Sequence, residues 1–154
     1  PNEKPEYDIF FSGKGTSKNR IELIELLKKE NYKFYGGLDD SIVPYKQYLD
    51  NIYNSSINLA LEGIGEFTFR HLEIMASCSL MMCEESINQI ELPLPIKDGQ
   101  HFVSFRDKKD LLDKLNFYLK NDKLRQDIAL KGRKLLEGYY SPKKHGEEIL
   151  KKIF

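Results

Sequence analysis

Neither sign of charge dominates this chain. Its 24 Lys and Arg residues balance 24 Asp and Glu residues over 154 positions, so the formal charge is zero. A general nucleic-acid binder carries a basic excess, and no nucleic-acid partner is expected here. No apolar run approaches the ~20 residues that span a bilayer, and no secretory pattern opens the chain, so no transmembrane segment is expected. Cysteine is scarce. Cys78 and Cys83 lie five apart and lack the spacing and partners of a disulfide or a metal site. Two reduced thiols suit a reducing compartment, and a cytoplasmic location is expected. Histidine is nearly as scarce: His71, His101 and His145 have no partner at a spacing useful for metal binding or acid–base work. No Ser/His/Asp or Cys/His arrangement appears, so the chain is expected to hold no complete catalytic set and no metal site.

What remains is the composition of a folded domain, 40% hydrophobic and 31% charged. The length suits one domain over residues 1–154. The chain starts Pro1-Asn2-Glu3 without an initiator Met, and a strand-like run begins by Tyr7. It is therefore expected to be part of a longer polypeptide.

Apolar runs alternate with helical periodicity along the chain. Tyr7 to Phe11 reads as a buried strand, and Gly13-Lys14-Gly15-Thr16 as a turn. Ser17 caps a helix to about Glu30, with Ile21, Ile24 and Leu26 or Leu27 on its apolar face. Tyr32 to Tyr35 is a second strand, stopped by Gly36-Gly37. Asp39-Asp40-Ser41 is placed to cap a helical region over Tyr45 to Tyr53, whose stripe is Tyr45, Tyr48, Leu49 and Ile52. Ser56 to Leu61, Ser79 to Cys83 and His101 to Phe105 supply three more strands. Between the last two, Glu84 to Gln100 is irregular, with one helical turn. Asp107 caps a helix carrying Leu111, Leu112, Leu115, Tyr118 and Leu119. A helical tail follows over about 122–154, broken near Ser141-Pro142, with Ile149, Leu150 and Ile153 on its last helix. Such alternation implies an α/β fold: a Rossmann-like, doubly wound parallel sheet of about five strands with extra C-terminal helices. Ligands of such sheets bind outside the C-terminal ends of the strands.

The stretch Leu59 to Cys78, LALEGIGEFTFRHLEIMASC, fits that rule best. An apolar strand end runs into Gly63-Ile64-Gly65, and a helix bearing Arg70 and Glu73 follows. A helix N-terminus offers N–H groups and partial positive charge to an anion, and glycine lets a ligand near the backbone. Arg70 adds a planar fork of donors suited to phosphate. Glu73 lies three residues on, on the same helix face, and a carboxylate is a natural acceptor for a vicinal diol. An exposed ion pair between the two is the plainer reading of the same spacing. Lys14 and Arg20 stand near the same rim, although the loop around Gly13 lacks P-loop spacing. His71 falls on another helix face and reads as packing or surface.

Family resemblance sharpens this. Residues Tyr53 to Met82 resemble the donor half of GT-B glycosyltransferases, nearest to the group-1 type that includes spore-maturation glycosyltransferase-like proteins. The family pattern G-x-x-x-[ST]-x-R-x-x-E is matched by Gly65, Thr68, Arg70 and Glu73. Downstream, Gly99 to Phe105 with Asp107 and Asp110-Leu111, then Tyr118-Leu119, Asp127-Ile128-Ala129 and Gly132-Arg133, resemble later family segments. The resemblance implies one half of a GT-B fold that binds a UDP- or GDP-linked sugar as substrate, without a cofactor. In the family the helix N-terminus and its arginine hold the diphosphate, and its glutamate holds the ribose. By position these roles fall on Gly65, Glu66, Phe67, Thr68, Arg70 and Glu73; with the rim residues Gly13, Lys14, Arg20 and Gly63 they make up the candidate donor-binding set, and Arg70 is expected to stabilise the leaving group. Many relatives carry a second acidic residue eight positions before the glutamate. Here that position is Gly65, and Glu66 lies one residue later. Acceptor contacts and the base belong to an N-terminal domain not in this chain, so the chain alone is expected to be inactive.

Three alternatives stand beside this reading. Tyr7 to Ser12 and the run from Asn51 look somewhat like a TIR-type NAD-cleaving or protein-interaction module. A receiver-like fold would need an acidic cluster with a phosphoacceptor Asp at the rim, where Leu61-Glu62-Gly63 stands. A non-catalytic Rossmann-like scaffold is the third.

Overall fold

A computed structural model of the chain describes residues 4–91 and 95–139, with 147, 150 and 151 beyond them. Five strands form one all-parallel sheet: β1 (Tyr7–Gly13), β2 (Phe34–Leu38), β3 (Ser55–Leu59), β4 (Leu80–Glu84) and β5 (Val103–Phe105). Their order is β2-β1-β3-β4-β5. The helices are α1 (Lys18–Lys29), α2 (Tyr45–Tyr53), α3 (Phe69–Ala76), α4 (Lys108–Lys120) and α5 (Asp122–Tyr139). Among the described residues, no helix is long and apolar enough to cross a membrane.

The period-2 alternation of the strands divides the core. Ile9, Phe11, Ile57, Leu59, Leu80, Met82, Val103 and Phe105 face one layer, built by Leu23, Ile24 and Leu27 of α1 and Leu111 and Leu115 of α4. Phe10, Met81 and Cys83 face the other, with Ile52 of α2 and Ile74 and Met75 of α3. Leu135 and Leu136 of α5 close that second layer. Both sheet faces are thus covered, which explains why the strands read as continuous apolar runs. Full burial of a side chain such as Phe10 or Phe11 is worth about 1.5–3 kcal/mol, so these neighbours anchor β1, between β2 and β3, from both sides of the sheet.

Local signals explain most helix starts. The Ser17 side chain accepts from the Arg20 N–H, and that of Asp107 from the Asp110 N–H. The buried face of α1 is Arg20, Leu23, Ile24 and Leu27, so the expected stripe was rotated: Ile21 is exposed. Gly36 and Gly37 do not stop the second strand but lie within β2. Gly36 has φ +95°, and a Cβ there would overlap the Phe11 carbonyl oxygen of the neighbouring strand. Asp39-Asp40-Ser41 forms a 3₁₀ turn rather than a cap for α2, which starts after Pro44 without a side-chain cap bond. The irregular segment after β4 contains the expected turn, a 3₁₀ helix over Glu85–Gln89. The expected final helix from Ser141 falls largely outside the described residues, as does His145. Both cysteines are free thiols, and Cys83 is buried.

The order 2-1-3-4-5 places the topological switch between β1 and β3. Their C-terminal ends diverge there, opening a crevice between the loops that follow them.

Candidate functional site

The crevice is a cleft of about 560 Å³ at the switch point. Ser12 and Gly13 line it from the end of β1, Lys14 and Thr16 from the loop that follows, Gly63 and Ile64 from the loop after β3, and Thr68, Phe69, Arg70 and Glu73 from the start of α3. Arg20, Ile42, Val43, Tyr45 and Tyr48 complete the wall. Of the ten residues singled out in the sequence, Gly13, Lys14, Arg20, Gly63, Thr68, Arg70 and Glu73 come together here. Gly65, Glu66 and Phe67 do not line it. Gly65 and Glu66 are exposed. Phe67 packs against the second core layer and stacks on His71, with ring centroids 4.8 Å apart.

Arg70 projects from the first turn of α3 and donates through Nη2 to the Ser12 carbonyl at 2.5 Å. Its guanidinium carbon lies 4.5 Å from the centroid of the Phe11 ring, a cation–π contact. Arg20 comes from α1 and is almost fully buried. Its Nη1 donates to the Lys14 carbonyl at 2.9 Å and its Nη2 to the Leu61 carbonyl at 2.5 Å. It too approaches Phe11, at 5.4 Å. Burial lowers the Arg20 pKa, and the charge of Arg70 lowers it further. Glycine makes room for both groups. A Cβ on Gly13 would stand 2.9 Å from Arg70 Nη2, and one on Gly63 would stand 2.7 Å from Arg20 Nη2. The Gly63–Gly65 turn is pinched by a bond from the Gly63 N–H to the Gly65 carbonyl at 3.3 Å.

Among the described residues, neither arginine forms an ion pair. Their partners are neutral carbonyls, and the Nε of each is buried without a hydrogen-bond partner. Arg70 is therefore left without a paired counter-charge at the floor of the cleft, beside the positive end of α3, whereas Glu84 and Glu62 partly offset the charge of Arg20 from beyond ion-pair distance. A buried cation without a counter-ion is costly, and an anion in the cleft relieves that cost.

Glu73 does not pair with Arg70. Its Oε1 accepts from the Tyr45 hydroxyl at 3.0 Å and its Oε2 from the Tyr48 hydroxyl at 3.0 Å. The expected surface ion pair is thus absent, and the glutamate is held by α2. Burial pushes the Tyr48 pKa up to about 12, with Arg70 opposing the rise. The tyrosines were legible as a helical stripe, but the i,i+3 spacing did not reveal that the stripe overlooks the cleft. Ile42, Val43 and Phe69 left no sequence signal, because nothing in their spacing separates a cleft wall from a core.

His71 is packing, as expected, and buried rather than exposed. Its Nδ1 accepts from the Thr68 N–H at 3.1 Å and so fastens the start of α3. Burial holds its pKa down at about 4, so the ring is neutral. Glu84, at the end of β4, accepts from the Glu62 N–H at 3.0 Å and keeps one oxygen buried without a partner. Burial raises its pKa. It stands outside the cleft and supports the loop after β3. His101 accepts from the Lys97 N–H at 2.9 Å and is likewise structural. Among the described residues, no three His, Cys, Asp or Glu side chains are grouped to hold a metal.

Comparison with known proteins gives this site its context. The model of the family described as "Glycosyl transferase-like" matches residues 19–151. The crystal structure of the C-terminal domain of a glycosyl transferase group 1 family protein (LpcC) from Francisella tularensis superposes with a TM-score of 0.65. It shares 18% identity over 90% of this chain and 88% of that one. The crystal structure of TarM superposes with a TM-score of 0.66 at 17% identity, over 98% of this chain but only 36% of TarM. No curated protein sequence matches the chain. The strand order alone also fits the alternatives raised by the sequence, and the family match separates them. The chain belongs to the glycosyl transferase-like family and has the Rossmann-like fold of a GT-B glycosyltransferase C-terminal domain.

Proposed function

We propose that the cleft holds the diphosphate and ribose of a UDP- or GDP-linked sugar, making this chain the donor half of a glycosyltransferase. The observation that carries the proposal is the pair of guanidiniums, Arg20 and Arg70, in the cleft, neither of which forms an ion pair among the described residues. Arg70 is the group that meets the diphosphate, because Arg20 has both terminal nitrogens engaged by Lys14 and Leu61. Lys14 is exposed at the cleft wall and adds a further positive charge. Glu73 accepts from the ribose hydroxyls.

In the reaction, the bond between the sugar C1 and the diphosphate oxygen breaks, and its electron pair stays on that oxygen. Arg70 and the N-terminus of α3 stabilise the charge that develops there. The acceptor oxygen bonds to C1, and its proton goes to a base supplied by an N-terminal domain. No residue of the cleft is placed to act as that base, since Glu73 is held by two tyrosines and His71 is buried. The chain alone is therefore expected to bind nucleotide without turnover.

Thermal-shift and calorimetric titration with UDP, GDP and NAD tests the proposal. A shift with UDP or GDP that Arg70→Ala removes is the expected result. A shift with NAD alone, or a UDP or GDP shift that survives Arg70→Ala, overturns it.

A further inference from the structure

We infer that Tyr45 and Tyr48 are positioning residues that lock Glu73 as a selector for the ribose 2′,3′-diol. The inference rests on the donor-site reading above and adds the machinery by which the sugar of the nucleoside is recognised. A glutamate on a helix is a mobile side chain. Here each carboxylate oxygen takes one hydroxyl donor, Tyr45 to Oε1 and Tyr48 to Oε2, both at 3.0 Å. A carboxylate has about four lone-pair sites. Two are occupied by the tyrosines, and Glu73 lines the cleft with the rest. That leaves one acceptor site on each oxygen, a match for two adjacent hydroxyls.

The clamp is anchored. The i,i+3 spacing on α2 sets the two rings one turn apart, nearly parallel, with centroids 6.1 Å apart. The Tyr48 ring leans on Phe10 in the core at 5.8 Å. The turn before α2 is tied to the end of β1 and the loop that follows it: the Ser12 hydroxyl donates to the Ser41 carbonyl at 3.1 Å and the Gly15 N–H to Asp39 Oδ2 at 3.3 Å. The diol acceptor and the loop beside the phosphate site therefore belong to one braced unit. Tyr45 is 63% exposed, far more than a ring serving only the core would be.

The test compares UDP and GDP with their 2′-deoxy forms by calorimetry on the intact chain. Wild type is expected to favour the ribonucleotide by roughly tenfold, the scale of one hydrogen bond to a charged group. Glu73→Gln should reduce that preference. The Tyr45→Phe/Tyr48→Phe variant should reduce it as well, at unchanged circular dichroism, because both rings remain and only the hydroxyls are lost. Tyr45→Phe alone, at an exposed position, should give part of the effect. A merely structural role would weaken both nucleotides equally and leave the ratio intact. If Glu73→Gln loses the preference and the double Phe variant keeps it, the clamp is overturned and the donor-site reading stands. If wild type binds both forms equally, the diol selector falls while an Arg70-dependent diphosphate site stands; if neither UDP nor GDP binds, both fall.

Discussion

Arg20 and Arg70, from different helices, share the ring of Phe11, their guanidinium carbons 5.4 and 4.5 Å from its centroid. Two like charges meet on one aromatic group because each is also tied to a carbonyl at the end of the sheet. The ties differ in number, and this separates the roles of the two residues.

Arg20→Ala removes two charge-assisted bonds and leaves the Leu61 carbonyl without its partner. A loss of about 3 kcal/mol is expected, which for a chain of this size lowers Tm by roughly 6–12 °C. Arg70→Ala, which removes one carbonyl bond, should cost less stability and more nucleotide affinity. Differential scanning calorimetry set beside nucleotide titration checks the split.

Gly13→Ala puts a methyl group 2.9 Å from Arg70 Nη2. The guanidinium must leave the Ser12 carbonyl, so nucleotide affinity should fall roughly tenfold while the fold survives. Gly65→Ala meets no atom within 4 Å but sits at φ +107°. It should cost about 1–2 kcal/mol of stability through backbone strain. Urea denaturation and titration of both variants would separate crowding from strain.

His71 makes stability depend on pH. Its pKa falls from 6.5 in an open chain to about 4 in the fold. The folded state therefore binds this proton less readily than the unfolded one. The contribution is complete above pH 6.5 and is lost as pH falls toward 4. The slope is about 1.4 kcal/mol per pH unit, roughly 3 kcal/mol in all. Following the imidazole by NMR should give a midpoint near 4. His71→Asn, which retains a side-chain acceptor for the Thr68 N–H, should flatten the stability profile between those limits.

The two thiols should differ in reactivity. Cys83 is buried, and burial raises its pKa well above the ordinary value. Cys78 is partly exposed. A thiol reagent at pH 8 should modify one equivalent quickly and the second only on unfolding. Mass spectrometry of peptides from a brief exposure would place the label on Cys78.

The sheet was legible because burial on both faces leaves apolar runs in the inner strands, and each of the five strands overlaps an expected one, β2 only at Phe34 and Tyr35. Where the reading slipped, a local signal met a tertiary contact. Gly36-Gly37 signals a turn by local rules, yet the pair sits in β2 because the chain runs too close to the Phe11 carbonyl for a side chain. Asp39-Asp40 signals a cap, but the Asp39 carboxylate reaches across to the Gly15 N–H. In the cleft, Arg70 and Glu73 were legible from their spacing with Thr68. Tyr45 and Tyr48 were not, because their partner lies 28 and 25 residues away in the chain. The burial of Arg20 was hidden for the same reason, since its Leu61 carbonyl partner is 41 residues off.

The carbonyl ties of the two arginines also decide when conformational entropy is lost. A free arginine side chain carries about 2 kcal/mol of rotamer entropy, which a ligand must ordinarily remove on entry. Arg20 and Arg70 give up that freedom when the sheet closes, held against Phe11 and the strand ends. An anion entering the cleft meets charges whose positions folding has already set, and its affinity is not reduced by a search for them.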